Sequence, residues 1–356
     1  MKRNERRRGR RGGLLLGALA LGLVTFSGAA AGPVAAALPT RVDVFGTLKD
    51  RPAAGPGTTI LLMGTDGRDT ISRAEKEQFH AGGVACGCSD VMMLVHVSRD
   101  HDRISVVSLP RDSYADIPDA DSARTHPAKL NAAYHEGGPA LAVRTIESMT
   151  GVRIDHFLQI DFRRFMDSVD AVGGVEVCTS RQLTDSATKL DLAPGRHRLA
   201  GGPALQYVRS RHVDNAADLG RIQRQHRFLV NTLRGAGLRD ALADPGRAMD
   251  LVSTVLGSDA RVDQGFGPDQ LLSLARDLRR VPLSRTEFGT VPIAGFNPVI
   301  EGAGSTLRWD EERAGEQFRA MREDRPLTPA DSQTQPLDPP DMKVQTVVHG
   351  DTLDCD

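Results

Sequence analysis

Aromatic residues are scarce. The 356-residue chain holds one tryptophan, three tyrosines and 11 phenylalanines, too few for a platform on which successive nucleic-acid bases could stack. Net charge is almost absent, at −1 with histidine neutral, whereas a general nucleic-acid binder carries a clear excess of lysine and arginine. Two common catalytic signatures are missing: the chain has no G-x-x-x-x-G-K-[ST] phosphate loop and no G-x-S-x-G serine elbow. It shows no internal repeat. Between residues 12 and 40 there is no charge of either sign.

That gap follows a basic segment, KRNERRRGRR at 2–11. Residues 12–38 are long enough for a membrane helix of about 20 residues, and the basic flank 1–11 should stay in the cytoplasm, which exports everything that follows. The rival reading is a cleaved signal peptide, with an apolar region Leu14–Phe26 and small residues Ala29–Ala31 at the cleavage site. Pro33 and the alanine-rich second half weaken a spanning helix, but both readings place the rest outside. Four cysteines, Cys86, Cys88, Cys178 and Cys355, fit an oxidising compartment. Cys86 and Cys88 are badly placed to bond each other. Two bridges would therefore join them to the distant pair in one of two connectivities, and Cys178 is the favoured partner because Cys355 lies in a polar tail.

Residues 39–57 read as a connector, 58–323 as the folded domain and 324–356, rich in Pro, Asp, Gln and Thr, as a disordered tail. The domain alternates strands and helices, an α/β pattern. TTILLMG (58–64), VMMLVHVS (91–98) and RISVVSLP (103–110) are continuous apolar runs of strands covered on both faces. A helix is expected over 131–150, mainly after the glycine pair at 137–138, then strand and helix over 156–174 and a short strand at 175–178. Further helices are expected near 219–233, 268–281 and 310–324, with a late strand in RTEFGTVPI.

One stretch stands out against the even overall charge. LQYVRSRHVDNAADLGRIQRQHR, 205–227, holds five arginines and two histidines but two acidic residues. On a helix Arg221, Arg224 and Gln225 share a face, and in an extended segment Arg209 and Arg211 point the same way. Four guanidiniums gathered in this way repel one another unless an anion lies between them, and phosphate or pyrophosphate oxygens match their planar forks. Three strand ends carry carboxylates: Asp66 after the first apolar run, Asp90 before the second, and Asp112 beside Arg111 after the third. Ligands sit at such ends, and carboxylates there, facing a polyanion, call for a hard divalent cation, Mg²⁺ or Mn²⁺. Lys129 in AKLNAAY is a further phosphate contact.

The segments ILLMGTDGR (60–68), CSDVMMLVHVS (88–98), ISVVSLPRDSY (104–114), KLNAAYHEGGPALAVRTIE (129–147), IDHFLQIDFRRFMDSVDAVGGVEVC (154–178) and QYVRSRHVDNAADLGRIQRQHRF (206–228) occur in this order. Together they resemble the LytR-CpsA-Psr family of cell-wall glycopolymer ligases, as does the N-terminal anchor. The resemblance implies a central mixed β-sheet flanked by helices, with an apolar tunnel for lipid. It implies a membrane-bound enzyme outside the cell that moves an anionic glycopolymer from a polyprenyl-pyrophosphate carrier to a peptidoglycan-related acceptor, forming a phosphodiester. On it, Asp66 and Asp90 take the metal. Arg111, Lys129, Arg209, Arg211, Arg221 and Gln225 cradle the pyrophosphate, and Asp112 and Asp218 support it or move protons. Arg224 joins the cradle or pairs with Asp218 or a neighbouring carboxylate. Met92, Met93 and Leu94, or the helix from Phe162 to Val169, line the tunnel or the core.

One departure is visible. Many relatives carry arginine where this chain has Cys88; Arg68 is the cation that can replace it, and a disulfide could brace the Asp90 loop. Two rival functions use the same residues: a pyrophosphatase, in which water replaces the acceptor, and a non-catalytic glycopolymer-binding wall protein. A transcription regulator is disfavoured, because the topology puts the arginine cluster outside the cell.

Overall fold

A computed structural model describes residues 39–82, 89–119, 124–297, 299–327, 335–337, 342–344 and 347–353. The expected anchor, 12–38, lies outside them. No helix among the described residues is long and apolar enough to cross a membrane.

Eight strands form the central sheet: β1 (Thr40–Val42), β2 (Thr58–Thr65), β3 (Ser89–Val97), β4 (Ile104–Ser108), β5 (His156–Ile160), β6 (Arg261–Asp263), β7 (Thr286–Thr290) and β8 (Val347–His349). Their spatial order is β1-β6-β5-β2-β3-β4-β7-β8. Pairing is parallel at β1/β6, β5/β2 and β4/β7 and antiparallel at the other junctions, so the sheet is mixed. The helices are α1 (Arg73–Gln78), α2 (Leu130–Thr150), α3 (Phe162–Ala171), α4 (Gly201–Arg209), α5 (Ala217–Arg234), α6 (Ala236–Ala243), α7 (Pro245–Val255), α8 (Pro268–Arg280) and α9 (Glu311–Arg322).

The apolar runs become β2, β3 and β4 because both faces of these strands are covered. Successive side chains point to opposite faces. Leu61 and Met63 meet Val143 and Ile146 of α2 and Phe318 and Met321 of α9 on one side. Ile60 packs with Val252 and Leu256 of α7 on the other, and Met93 with Val230 of α5. Helix α2 starts earlier than expected and runs through the glycine pair, bent where Gly137 (φ −138°) and Gly138 (φ 62°) leave helical geometry. The 175–178 strand forms, as Val175–Thr179, but outside the central sheet, paired antiparallel with Gly195–Leu199.

This framework collects the site. In the antiparallel β2/β3 pair Gly64 faces Val91 and Thr65 faces Ser89, with an irregularity between them, so Asp66 and Asp90 leave the sheet at one edge. Strand β4 runs antiparallel to β3 and ends at the same edge, delivering Arg111 and Asp112. The backbone there is tied by Asn131 N–H donating to the Arg111 carbonyl (3.1 Å) and Leu307 N–H to the Asp112 carbonyl (2.8 Å). A hairpin, Tyr114–Pro118 with Thr125–Lys129, returns Lys129 to this edge immediately before α2. Helices α3 and α4 cross closely because Gly201 has no side chain: an added Cβ would lie 2.5 Å from the Met166 carbonyl oxygen.

The C-terminal segment departs from expectation. Part of the region read as a disordered tail is β8, which pairs antiparallel with β7 (Phe288 opposite Val348) and supplies the sheet's last strand. Arg234, at the end of α5, donates to the carbonyls of Gly350 (2.9 Å), Asp351 (3.0 Å) and Leu353 (2.9 Å). The polar composition around it concealed this strand, which is held by main-chain pairing, the Arg234 guanidinium and the packing of Val347 and Val348 against the core.

Cys178 is disulfide-bonded; Cys86, Cys88 and Cys355 lie outside the described residues. Cys178 shares a surface cleft with Asn231 and Arg234, at the opposite end of α5 from Arg221, which touches Asp90. The thirteen helical steps from Arg221 to Arg234 correspond to about 20 Å of helix. Cys178 itself thus lies toward the far end of α5 from Asp90, and the expected bridge to Cys86 or Cys88 lies outside the described residues.

Removing the Arg234 guanidinium leaves three carbonyls without their charged donor. Arg234→Ala should destabilise the C-terminal segment by about 1–3 kcal/mol. Hydrogen exchange checks this: amides of 347–353 should exchange faster in the variant, while those of β2 and β3 keep their protection.

Candidate functional site

Asp90 and Arg111 form the centre. Arg111 Nη1 donates to Asp90 Oδ1 at 2.5 Å, and its Nε lies 3.7 Å from Asp112 Oδ2 and 4.0 Å from Asp218 Oδ1. Lys129 Nζ holds the other oxygen of Asp112 at 3.0 Å. From α5, Arg221 Nη2 reaches Asp218 Oδ2 at 3.0 Å and the Asp90 carbonyl at 3.1 Å. Asp66 is buried beside Arg68, whose Nη2 lies 3.4 Å from Asp66 Oδ2. Arg209 and Arg211 differ from these cations: among the described residues neither has a carboxylate within ion-pair distance. The guanidinium of Arg209 lies over the Phe162 ring, 4.7 Å from its centre.

Charge follows this pairing. Burial alone would push the Asp90 carboxyl up, but Arg221 and Arg111 outweigh it and hold its pKa below the usual carboxylate range. For Arg111, burial is outweighed by Asp90, Asp218 and Asp112, which raise it. Arg221 is lowered by burial despite Asp218 and Asp90. Arg209 is lowered to about 10 by burial and then by repulsion from Arg68. Six cations (Arg68, Arg111, Lys129, Arg209, Arg211, Arg221) thus stand with four carboxylates (Asp66, Asp90, Asp112, Asp218), an excess of two positive charges. Among the described residues, the buried Arg111 Nε, Arg221 Nε and Asp218 Oδ1 have no hydrogen-bond partner. Spare donors and two cations without an ion-pair partner among the described residues make this edge a receiver of anions.

Against the charged edge lies an apolar cavity of about 130 Å³, close to the roughly 150 Å³ void that admits a benzene ring. Phe162, Phe165, Leu205, Val208, Phe228 and Leu229 line it, and Asp90, Arg209, Arg221 and Gln225 border it. Of the run expected to line a tunnel, Met93 faces this cavity, whereas Met92 and Leu94 point to the other face of the sheet and join the core. Strand alternation requires that split.

The structure brings together Asp66, Arg68, Asp90, Arg111, Asp112, Lys129, Asp218 and Arg221, as the sequence led us to expect. Arg209 ends helix α4 rather than lying in an extended segment. Arg211 follows a turn fixed by Asp185, which accepts from the backbone N–H groups of Arg211 (2.7 Å) and His212 (2.9 Å). Arg224 does not converge on the others. It pairs with Asp214 (2.6 Å) rather than Asp218 and donates to the Ser210 carbonyl (2.5 Å), so it clamps the loop that carries Arg211. Gln225 donates to the Val208 carbonyl at 3.1 Å and borders the cavity rather than the ion-paired cluster. Sequence reasoning passed over Asp185, Asp214 and the position of Phe162 beneath Arg209.

No group of three or more His, Cys, Asp or Glu side chains that could hold a metal occurs among the described residues. Asp66 and Asp90 nevertheless fit Mg²⁺ or Mn²⁺. They are hard oxygen donors on adjoining strand ends, and Mg²⁺ is commonly held by one or two carboxylates with the remaining ligands from water and substrate phosphate.

The profile of the LytR_cpsA_psr family matches residues 41–323. The chain is 35% identical over 267 residues to the "Probable cell wall biosynthesis protein LcpB" of Corynebacterium glutamicum, covering 75% of this chain and 61% of that one. It is 27% identical over 283 residues to the "Cell wall biosynthesis protein LcpA" of the same organism, with 72% and 53% covered. The chain therefore spans between half and two thirds of these relatives' length. To the "Polyisoprenyl-teichoic acid--peptidoglycan teichoic acid transferase TagU" of Oceanobacillus iheyensis it is 29% identical over 259 residues, 71% of this chain and 72% of that one. Among solved structures, the "LytR-Csp2A-Psr enzyme from Actinomyces oris" superposes with a TM-score of 0.58 at 24% identity, over 80% of this chain and 96% of that one. "TagT bound to LIIa-WTA" superposes with a TM-score of 0.55 at 23% identity, over 76% and 91%. These superpositions establish the fold.

The separate positions of Arg224 and Arg211 carry a stability prediction. Arg224 is 2% exposed and ion-paired, so Arg224→Ala should cost about 3 kcal/mol, since it leaves Asp214 with the longer 3.7 Å contact to Arg181 and removes the guanidinium donor to the Ser210 carbonyl. Arg211→Ala should stay within about 0.5 kcal/mol of the native protein. Urea unfolding of the two variants side by side checks the difference.

Proposed function

The chain belongs to the LytR_cpsA_psr family, and on that premise we propose that it transfers an anionic glycopolymer from a polyprenyl-pyrophosphate carrier to peptidoglycan or a related wall acceptor, as a phosphodiester. The observation that carries this reading is the junction of two surfaces: cations at Arg209 and Arg211 that have no ion-pair partner among the described residues, and an apolar cavity bordered by Arg209 and Arg221. A ligand with pyrophosphate at one end and hydrocarbon at the other satisfies both. The printed names of relatives, a teichoic acid transferase and two cell-wall biosynthesis proteins, point to the same substrates.

The reaction balances without nucleotide. The acceptor hydroxyl oxygen bonds to the phosphorus bearing the glycopolymer, the bond from that phosphorus to the bridging oxygen breaks, and polyprenyl phosphate leaves with the electron pair. Charge builds on the bridging oxygen, and Arg209, Arg211 and Arg221 are placed to offset it. Arg111 fixes Asp90 and separates Asp112 from Asp218. The acceptor's proton passes to a carboxylate of this group, Asp112 or Asp218. Arg68, beside Asp66 and close enough to Arg209 to repel it, supplies the phosphate charge that Cys88 lacks. Asp66 and Asp90 would hold Mg²⁺ or Mn²⁺, which supplies further positive charge to the phosphates when bound.

We place the domain outside the cytoplasmic membrane, held there by residues 12–38. The basic run before that segment supports this orientation, and so does a reaction driven by the pyrophosphate link itself.

Full-length chain, a lipid-pyrophosphate glycan, Mg²⁺ and an acceptor glycan test the reading. Phosphodiester-linked product should form in proportion to acceptor. Release of glycan phosphate alone, with acceptor present, would mean a pyrophosphatase. Arg209→Ala and Arg211→Ala should each slow transfer about 30- to 1000-fold, the loss expected for one charge-stabilising donor. Near-native rates in both would contradict the cradle.

A further inference from the structure

Phe162 stands where the charged and apolar halves of the site meet. It is the first residue of α3 and is 6% exposed. Its ring lines the apolar cavity, and it also lies beneath two guanidiniums, with Arg209 Cζ at 4.7 Å from the ring centre and Arg68 Cζ at 5.9 Å. Arg209 has no ion-pair partner among the described residues, Asp90 and Asp66 attract it only at longer range, and the aromatic face lies directly against it.

The consequence differs from that of an ion pair. A carboxylate would occupy the N–H donors of Arg209 and cancel its charge. The ring face does neither. The only hydrogen bond recorded for the Arg209 guanidinium among the described residues is a long one, 3.5 Å, to the His80 carbonyl. Arg209 is thus held in place with its charge intact and most of its donors unspent.

The support for Phe162 is itself fixed. Asp161 caps α3, its Oδ1 accepting from Arg164 N–H at 2.9 Å, while its Oδ2 accepts from the Thr70 hydroxyl at 2.6 Å. Leu205 of α4 packs with Phe162 and Met166. Thr70 lies two residues beyond Arg68, so one small network sets the ring against both cations.

We infer that Phe162 is a positioning residue that presents the Arg209 guanidinium, uncompensated, to the substrate's phosphates. This rests on the pyrophosphate reading above for its ligand but on the geometry alone for the stacking.

The test uses the full-length chain, inorganic pyrophosphate with Mg²⁺ as probe, and two readouts. Calorimetry should show Phe162→Leu binding pyrophosphate about 5- to 30-fold more weakly, the range for a desolvated cation–π contact, with Phe162→Tyr close to native. In an Arg209→Ala background Phe162→Leu should lose much less, because most of its effect passes through Arg209, the nearer of the two guanidiniums. NMR of the Arg209 Nε–H group should show a ring-current shift that disappears in Phe162→Leu and persists in Phe162→Tyr. Phe162→Met, which keeps the apolar volume, replaces the leucine variant if that one fails to fold. Native affinity in the ringless variants, an equal loss with and without Arg209, or no ring-current shift in the native chain would overturn the inference. A native chain that shows the shift but binds no pyrophosphate would uphold the stacking and overturn the proposed function instead.

Discussion

Two positive charges without an ion-pair partner among the described residues shape this domain. Arg209 and Arg211 emerge from the α4–α5 turn, where Asp185 and the Arg224–Asp214 pair fix the backbone around them. Neither forms an ion pair among the described residues, and the Phe162 ring, not a carboxylate, lies against Arg209. The surrounding carboxylates are committed elsewhere: Asp90 to Arg111, Asp112 to Lys129 and Arg111, Asp218 to Arg221. Arg209 and Arg211 therefore stand ready for an anion.

The sheet supplies the geometry. Antiparallel neighbours β2, β3 and β4 bring a strand end, a strand start and a second strand end to a single edge, which is how residues 66, 90 and 111 meet. Helix α5 serves both halves of the site, with Arg221 at its charged end and Phe228 and Leu229 against the apolar cavity. Polar and apolar recognition thus share one rigid element. That arrangement suits a ligand whose two halves are chemically opposite and joined at a phosphate.

Much of this was legible in the sequence, for physical reasons that also mark where legibility stopped. The apolar runs reported strands because burial on both faces demands them, and Asp66, Asp90 and Arg111 were legible as strand-end residues. Alternation predicts that Met92 and Met93 face opposite sides, but the cavity on one of those sides is tertiary information. Helical spacing put Arg221 and Arg224 on one face; it could not show that Asp214, in a loop, would take Arg224 away. Strand β8 is three residues long in an otherwise polar stretch, so its two valines did not mark it, and its pairing with β7 depends on main-chain groups that composition does not report. Phe162 looked like ordinary core because a cation–π contact leaves no spacing signature.

The central claim is that charge and hydrocarbon are recognised at one junction. Thermal melting of the full-length chain with Mg²⁺ and equal concentrations of farnesyl pyrophosphate, inorganic pyrophosphate or farnesol tests it directly, because a ligand that binds only the folded state raises the melting temperature in step with its affinity. The account predicts that farnesyl pyrophosphate raises it more than either half alone. Farnesol matching farnesyl pyrophosphate, or no rise with any of the three, would contradict it.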